Sequence, residues 1–253
     1  MKALWAAANV AVRTILWLAV VASPAMAGET VRLESGVQRT VMIELFTSEG
    51  CSSCPPAERH LNGYLHHQRL WSRFVPLAFH VDYWDALGWR DRYAEPRHAA
   101  RQRRYAALQR VRTVYTPALV VNGRGWRPRG LAREPSADTM PIGNLRVQLA
   151  GARVNAQFSP AMPVPGDLVL HVAVLGMGLS TEVAAGENAG RELRHEFVVL
   201  GTVQSTETDR GGNAWRVELP KVRTFGATRL AVAAWISTPT DPTPLQATGG
   251  YID

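Results

Sequence analysis

The chain's two cysteines, Cys51 and Cys54, stand where a strand-like apolar run gives way to a helix-like stretch, and this limits the fold more than any other feature. Val41-Met42-Ile43-Glu44-Leu45-Phe46 reads as a buried strand, with a turn from Thr47 to Gly50. Ala57, Leu61 and Leu65 recur at helical spacing and predict a helix from Pro55 to Gln68. A Cys-x-x-Cys at such a junction puts its first sulfur at a helix N-terminus, where unpaired backbone N–H groups and the dipole favour a thiolate. Cys51 is therefore the expected nucleophile, and Cys54, one turn on, the resolving thiol. The other readings are half of a zinc site and a permanently closed structural disulfide. A zinc site requires a second ligand pair. No further Cys exists, and His60, His66, His67, His80 and His98 show no tight spacing relative to the pair, so no metal ligand is assigned.

The surrounding chain divides by pattern. From Thr30 to about Arg133 short apolar runs alternate with helical stretches, as in an α/β layer. Beyond the first strand and helix these are a strand over Phe74–Val81, a helix over Glu95–Arg110, and a strand over Val114–Asn122 closed by Asn122-Gly123. Arg124 to Pro141, rich in Arg, Pro and Gly, reads as a linker or exposed turn. After it come strand-like runs at 145–149, 153–158, 167–175, 193–204, 214–219, 229–236 and 246–252, separated by Gly, Pro, Asn and Asp. Leu168, Leu170, Val172 and Val174 alternate as in a strand with one buried face. The expected fold class is an α/β thioredoxin-like domain followed by an all-β sandwich-like domain, with boundaries at 28–135 and 142–253.

Residues 1–27 read as a signal peptide. Lys2 and Arg13 supply positive charge, Ile15 to Ala22 an apolar core, and Ala25-Met26-Ala27 a small-x-small cleavage site. The expected location is periplasmic or secreted, with no membrane span after cleavage, and there disulfides persist. Hydrophobic residues at 46% and charged residues at 19% exclude disorder and coiled coil. The formal charge of +7 shrinks when the leader is removed, and an exported chain without a recognised binding motif is not expected to bind nucleic acid. Composition leaves the oligomeric state open.

A second constellation, His80-Val81-Asp82-Tyr83-Trp84-Asp85 through Trp89-Arg90-Asp91, follows the strand at Phe74 and is expected at the same sheet edge as the CxxC. In one reading His80 is a proton donor or thiolate partner, with Tyr83, Trp84 and Trp89 as an apolar wall for substrate. In the other it is a packed loop with a satisfied histidine. Arg97, Arg101, Arg103, Arg104, Arg110 and Arg112 form either a solvated helix face or a patch for an anionic partner. Gly186 to Arg191 reads as a tight hairpin connection or as a contact with the catalytic region.

A strand bearing an acid (Glu44), a CxxC opening a helix, and Thr116-Pro117 before Ala118-Leu119-Val120-Val121 together resemble the thioredoxin-like superfamily. The resemblance implies that Pro117 is cis and that Thr116 presents its backbone to an extended substrate. It also makes Glu44 either a buried proton acceptor for Cys54 or a simple strand carboxylate. Two departures stand out: Gly50 replaces the Trp that usually precedes the first Cys, and Glu44 lies one residue farther from Cys51 than the acid of thioredoxins. VMIELFTSEGCSSCPPAERHL, FHVDYWDALGWRDRYAEPRHAARQRRYA, TPALVVNGR and GENAGRELRHEFVV are, more closely, similar to the DUF1223 family of exported proteins.

The expected function is thiol-disulfide exchange on protein or small-molecule thiols and disulfides. Cys51, Cys54 and Glu44 are its catalytic candidates, and Thr116, Pro117, His80, Tyr83 and Trp84 its substrate-binding candidates. No cofactor is required, because the cysteines carry the two electrons. The rival is a non-catalytic thioredoxin-fold binding module or a copper carrier using the same cleft, since thiolates favour Cu(I).

Overall fold

The computed structural model describes residues 30–128, 134–136, 139–164, 166–206 and 213–252. The expected signal segment 1–27 and part of the expected linker lie outside the described residues. The strands are β1 (Thr30–Glu34), β2 (Val41–Thr47), β3 (Phe74–His80), β4 (Ala118–Val121), β5 (Arg124–Trp126), β6 (Gly143–Ala150), β7 (Arg153–Pro160), β8 (Val169–Met177), β9 (Leu179–Glu182), β10 (Glu192–His195), β11 (Val198–Ser205), β12 (Ala214–Glu218), β13 (Arg229–Ser237) and β14 (Gln246–Tyr251). Among the described residues two α-helices accompany them, α1 (Cys54–Asn62) and α2 (Pro96–Ala107).

An eight-stranded sheet of order β14-β13-β8-β11-β3-β2-β4-β5 forms the centre of the molecule. Strand β3 is parallel to both β2 and β11, and the other pairings are antiparallel. A four-stranded antiparallel sheet, β1-β6-β7-β12, and a β9-β10 ribbon complete the strands. This corrects the expected fold class of an α/β thioredoxin-like domain followed by an all-β sandwich-like domain. The chain is a β-rich fold of mixed and antiparallel sheets with few helices, and its principal sheet draws strands from both halves of the sequence. The seam is β11 on β3, where the Ala78 amide donates to the Phe197 carbonyl at 2.8 Å.

The side chains explain why the later strands join this sheet. In β8 and β13, residues of one parity (Ala173, Leu175, Ala231, Ala233, Trp235) enter the core shared with β2, β3 and β4. Residues of the other parity (Leu170, Val172, Val232, Ala234, Ile236) pack with Leu145, Val147, Leu149, Val154 and Phe158 of β6 and β7. A strand buried on both faces belongs in the middle of a layered structure, whereas β6, whose residues alternate buried and exposed, covers one side. The expected run from 193 to 204 is two strands, because Phe197 takes a positive φ of 59° and breaks it into β10 and β11. The expected helix from Pro55 ends as an α-helix at Asn62 and continues to His66 as a 3₁₀ turn.

The site is positioned by the C-terminal ends of β2 and β3. All seven residues of each strand are buried, and their parallel register sets Thr47 beside His80. The turn after β2 carries the CxxC, and the segment after β3 runs through a 3₁₀ turn at Asp82–Leu87 to Asp91.

Candidate functional site

Cys51 and Cys54 are joined in a disulfide with Cα atoms 5.4 Å apart. Helix α1 begins at Cys54 and not at Cys51, with Ser53 as N-cap and Pro55-Pro56 in its first turn, where the missing N–H groups cost no helical bond. Cys51 lies in the preceding turn, its amide donating to Ser48 O at 3.2 Å and its carbonyl accepting from Cys54 N at 3.1 Å. The Ser53 hydroxyl is 3.3 Å from Cys51 Sγ. No acid lies within the first turn of α1 itself, and the positive end of the helix beside the sulfurs meets the Glu187 carboxylate at the Ser52 amide.

Both cysteines are fully buried, at 0% exposure. An incoming thiolate needs an open approach to Cys51, and the structure covers it instead. The cover includes the loop between β9 and β10. Asn188, itself at 0% exposure, donates through Nδ2 to Glu49 O (2.8 Å) and Cys51 O (3.0 Å). Glu187 Oε2 accepts the Ser52 amide at 2.9 Å, and Arg191 holds Asn188 Oδ1 at 2.7 Å. Gly186, at φ 75°, lets this loop lie against Gly88 and Trp89: a Cβ there would sit 3.0 Å from Trp89 Cβ. On another side, a Cβ at Gly50 would meet Trp84 Cβ at 3.5 Å, so Trp84 backs onto the residue before Cys51.

Around this turn lies a polar cluster that sequence reasoning largely missed. Glu49, Glu58, His80, Asp91 and His195 are all at most 5% exposed. Glu58 sits on α1 four residues after Cys54, which places both on one helical face. Its Oε1 accepts from the Thr47 hydroxyl and its Oε2 meets His195 Nδ1 at 2.7 Å. His195 Nε2 is 3.2 Å from Glu49 Oε1, within ion-pair range. Glu49 Oε2 accepts Trp89 Nε1 at 2.8 Å. His80 Nδ1 pairs with Asp91 Oδ2 at 2.6 Å, and Asp91 also takes the amides of Glu49 and Tyr93, each at 2.9 Å. The two imidazole rings stand edge to face, 5.1 Å apart.

The electrostatics follow from this pairing. Burial opposes charge on His195, but Glu58 and Glu49 outweigh it and lift the ring to about 10. Burial likewise opposes charge on His80, and Asp91 raises it nonetheless. The partners respond in kind: against the effect of burial, His195 holds Glu58 below its ordinary value and His80 does the same to Asp91.

The remaining candidates are placed as follows. Glu44 points to the opposite face of β2 from Thr47, where Arg101 and Tyr105 of α2 bind its carboxylate, Tyr105 at 2.6 Å. It is not among the groups gathered around the CxxC turn. His80 is paired with Asp91 and not with its sequence neighbour Asp82. Tyr83 is 36% exposed and donates to Gln102 Oε1 at 3.2 Å. The Thr116-Pro117 bond is cis, and Pro117 lines a groove of about 830 Å³ with Pro56, Ala57, Tyr115, Leu119 and Trp126. The sequence contained weak signals for the missed residues, since Asn188 and His195 both fall in GENAGRELRHEFVV. Nothing in their spacing tied them to Cys51.

Residues 42–237 match the family described as "Protein of unknown function (DUF1223)", most of the chain's length. The chain belongs to that family. No curated protein matches this DUF1223 member. Among solved structures it is similar to a protein from Agrobacterium tumefaciens, at 22% identity and a TM-score of 0.58, covering 83% of this chain and 92% of the other. It is also similar to HBP35 of Porphyromonas gingivalis, at 14% identity and a TM-score of 0.54, covering 87% of this chain and 77% of the other. At these identities the likeness concerns the fold. Among the described residues of the DUF1223 chain, no helix is long and apolar enough to cross a membrane.

Proposed function

We propose that the protein is an exported thiol-disulfide exchange protein whose Cys51/Cys54 couple works beneath a liftable cover. The observation that carries this reading is the disulfide itself, closed between Cys51 and Cys54 at a strand-to-helix turn, beside a helix N-terminus. A loop this short is a weak staple: loop-closure entropy gives it about 2 kcal/mol, against ~4.7 kcal/mol for a hundred-residue loop. Stability alone is a poor reason for the pair. The charged N-terminal stretch, apolar core and Ala25-Met26-Ala27 support a compartment in which the disulfide persists.

In the exchange a substrate thiolate attacks Cys51 Sγ, the Cys51–Cys54 bond breaks, and Cys54 leaves as a thiolate that takes up a proton. A second thiol of the same substrate, losing its proton, then displaces Cys51 from the mixed disulfide. Two electrons pass from the substrate dithiol to the pair, and the reverse sequence oxidises Cys51 and Cys54. The Ser53 hydroxyl, 3.3 Å from Cys51 Sγ, is placed to donate to a Cys51 thiolate. Access requires the Asn188 loop to move, so the rate is set by opening as well as by thiol chemistry.

The full burial of Cys51 favours a second reading, a closed disulfide in a non-catalytic binding module. Incubation of Cys54→Ser with a model peptide disulfide separates the two. Exchange predicts a Cys51 mixed disulfide visible by mass spectrometry and wild-type turnover that Cys51→Ser abolishes. No mixed disulfide and no turnover would establish the non-catalytic reading.

A further inference from the structure

Glu58, His80 and His195 come from α1, β3 and β10, yet one ligand atom from each lies within 4.8 Å of those of the other two. All three are buried. His80 Nε2 is buried with no hydrogen-bond partner among the described residues. His195 Nε2 and Glu49 Oε1 face each other at 3.2 Å without hydrogen-bond alignment. Buried polar atoms are nearly always satisfied, so the orphaned His80 Nε2, aimed into this cluster, calls for a polar occupant.

We propose that Glu58, His80 and His195 form a buried binding site for a divalent transition ion of the zinc type. The donor set of two imidazoles and a carboxylate matches zinc's preference for nitrogen and oxygen ligands. The outer contacts are also those of a metal site. Asp91 grips His80 Nδ1 and leaves Nε2 as its coordinating atom, the carboxylate–histidine arrangement that orients metal ligands. Thr47 binds one oxygen of Glu58, leaving the other to face the cluster. Charge agrees as well: Glu49, Glu58 and Asp91 bring three carboxylates to two imidazoles, and a divalent ion with neutral imidazoles gives the same total as two imidazolium rings. This site uses neither sulfur and does not depend on the exchange reading.

The test uses the full chain with its disulfide intact, refolded in zinc and dialysed. The expected result is about one zinc ion per chain, an X-ray absorption spectrum with two-imidazole scattering and no sulfur neighbour, and loss of the bound zinc in His80→Ala and His195→Ala. Zinc-free protein after dialysis, a sulfur neighbour in the spectrum, or full zinc retention in both variants would each overturn the proposal. The absorption spectrum needs only wild-type protein, so the conclusion stands even if a variant fails to fold.

Discussion

Asn188 binds the carbonyl of Cys51, 137 residues away in sequence, through a side-chain hydrogen bond of 3.0 Å, and the same amide group holds Glu49 O at 2.8 Å. One buried side chain thus ties the β9–β10 loop to the turn that carries the disulfide. Any reagent approaching Cys51 must contend with that tie.

Replacing Asn188 with Ala removes its bond to the Glu49 carbonyl and one of the two bonds to the Cys51 carbonyl, which keeps the Cys54 amide, and an unsatisfied buried group costs about 1–3 kcal/mol. The expected outcome is lower stability in urea and reduction of the Cys51–Cys54 disulfide by dithiothreitol about tenfold faster, since each 1.4 kcal/mol is a factor of ten. An unchanged reduction rate in the folded variant would show that the loop is not the barrier.

His171 supplies a pH dependence. Burial, reinforced by Arg101 and Arg104, pulls its ring down to about 3 from an ordinary value of 6.5. The folded state therefore keeps the ring neutral, while the unfolded chain takes up a proton below about pH 6.5. The stability at stake is fully present above that pH and is lost as pH falls toward about 3; by pH 5 the loss is about 2 kcal/mol. A His171→Gln chain, which keeps a side chain able to bond Ser237 Oγ but cannot titrate, is expected to lose less stability between pH 7 and pH 5 than wild type in urea titrations. Parallel losses would contradict this.

Glu44 is predicted to act on stability. Its buried carboxylate is held by Arg101 and Tyr105, and truncation leaves the guanidinium without its partner. Breaking a buried pair of this kind costs about 3–5 kcal/mol. Glu44→Ala is expected to unfold at markedly lower urea, while the disulfide of its folded fraction is reduced at the wild-type rate. A specific slowing of exchange would instead return Glu44 to the chemistry.

The shared sheet makes a further prediction. Residues 28–135 expressed alone would expose the β3 edge that β11 covers and would lose Ala173, Leu175, Val199, Ala231 and Trp235 from their core. The fragment is expected to lack near-ultraviolet circular dichroism and a cooperative thermal transition. A sharp transition would show that the first half folds by itself.

Local pattern sufficed for what depends on near neighbours. The run Val41 to Phe46, the CxxC at its end and the helix after it are legible because side-chain periodicity and Pro placement act within a few residues. The runs that form β6, β8 and β13 were also readable as strands, but Leu168 to Val174 read as a strand with one buried face, whereas β8 is buried on both. Which sheet those strands join was not, because a run buried on both faces fits the middle of any layered structure, and only the β11–β3 pairing selects this one. The site divides the same way. Cys51 and Cys54 are neighbours in sequence, and their pairing needs only a turn. The cluster of Glu49, Glu58, His80, Asp91 and His195, and the Asn188 clamp over it, exist only where β2, β3, α1 and the β9–β10 ribbon converge. Hydrogen bonds of about 3 Å between residues more than a hundred positions apart are fixed by tertiary packing, and no spacing rule along the chain encodes them.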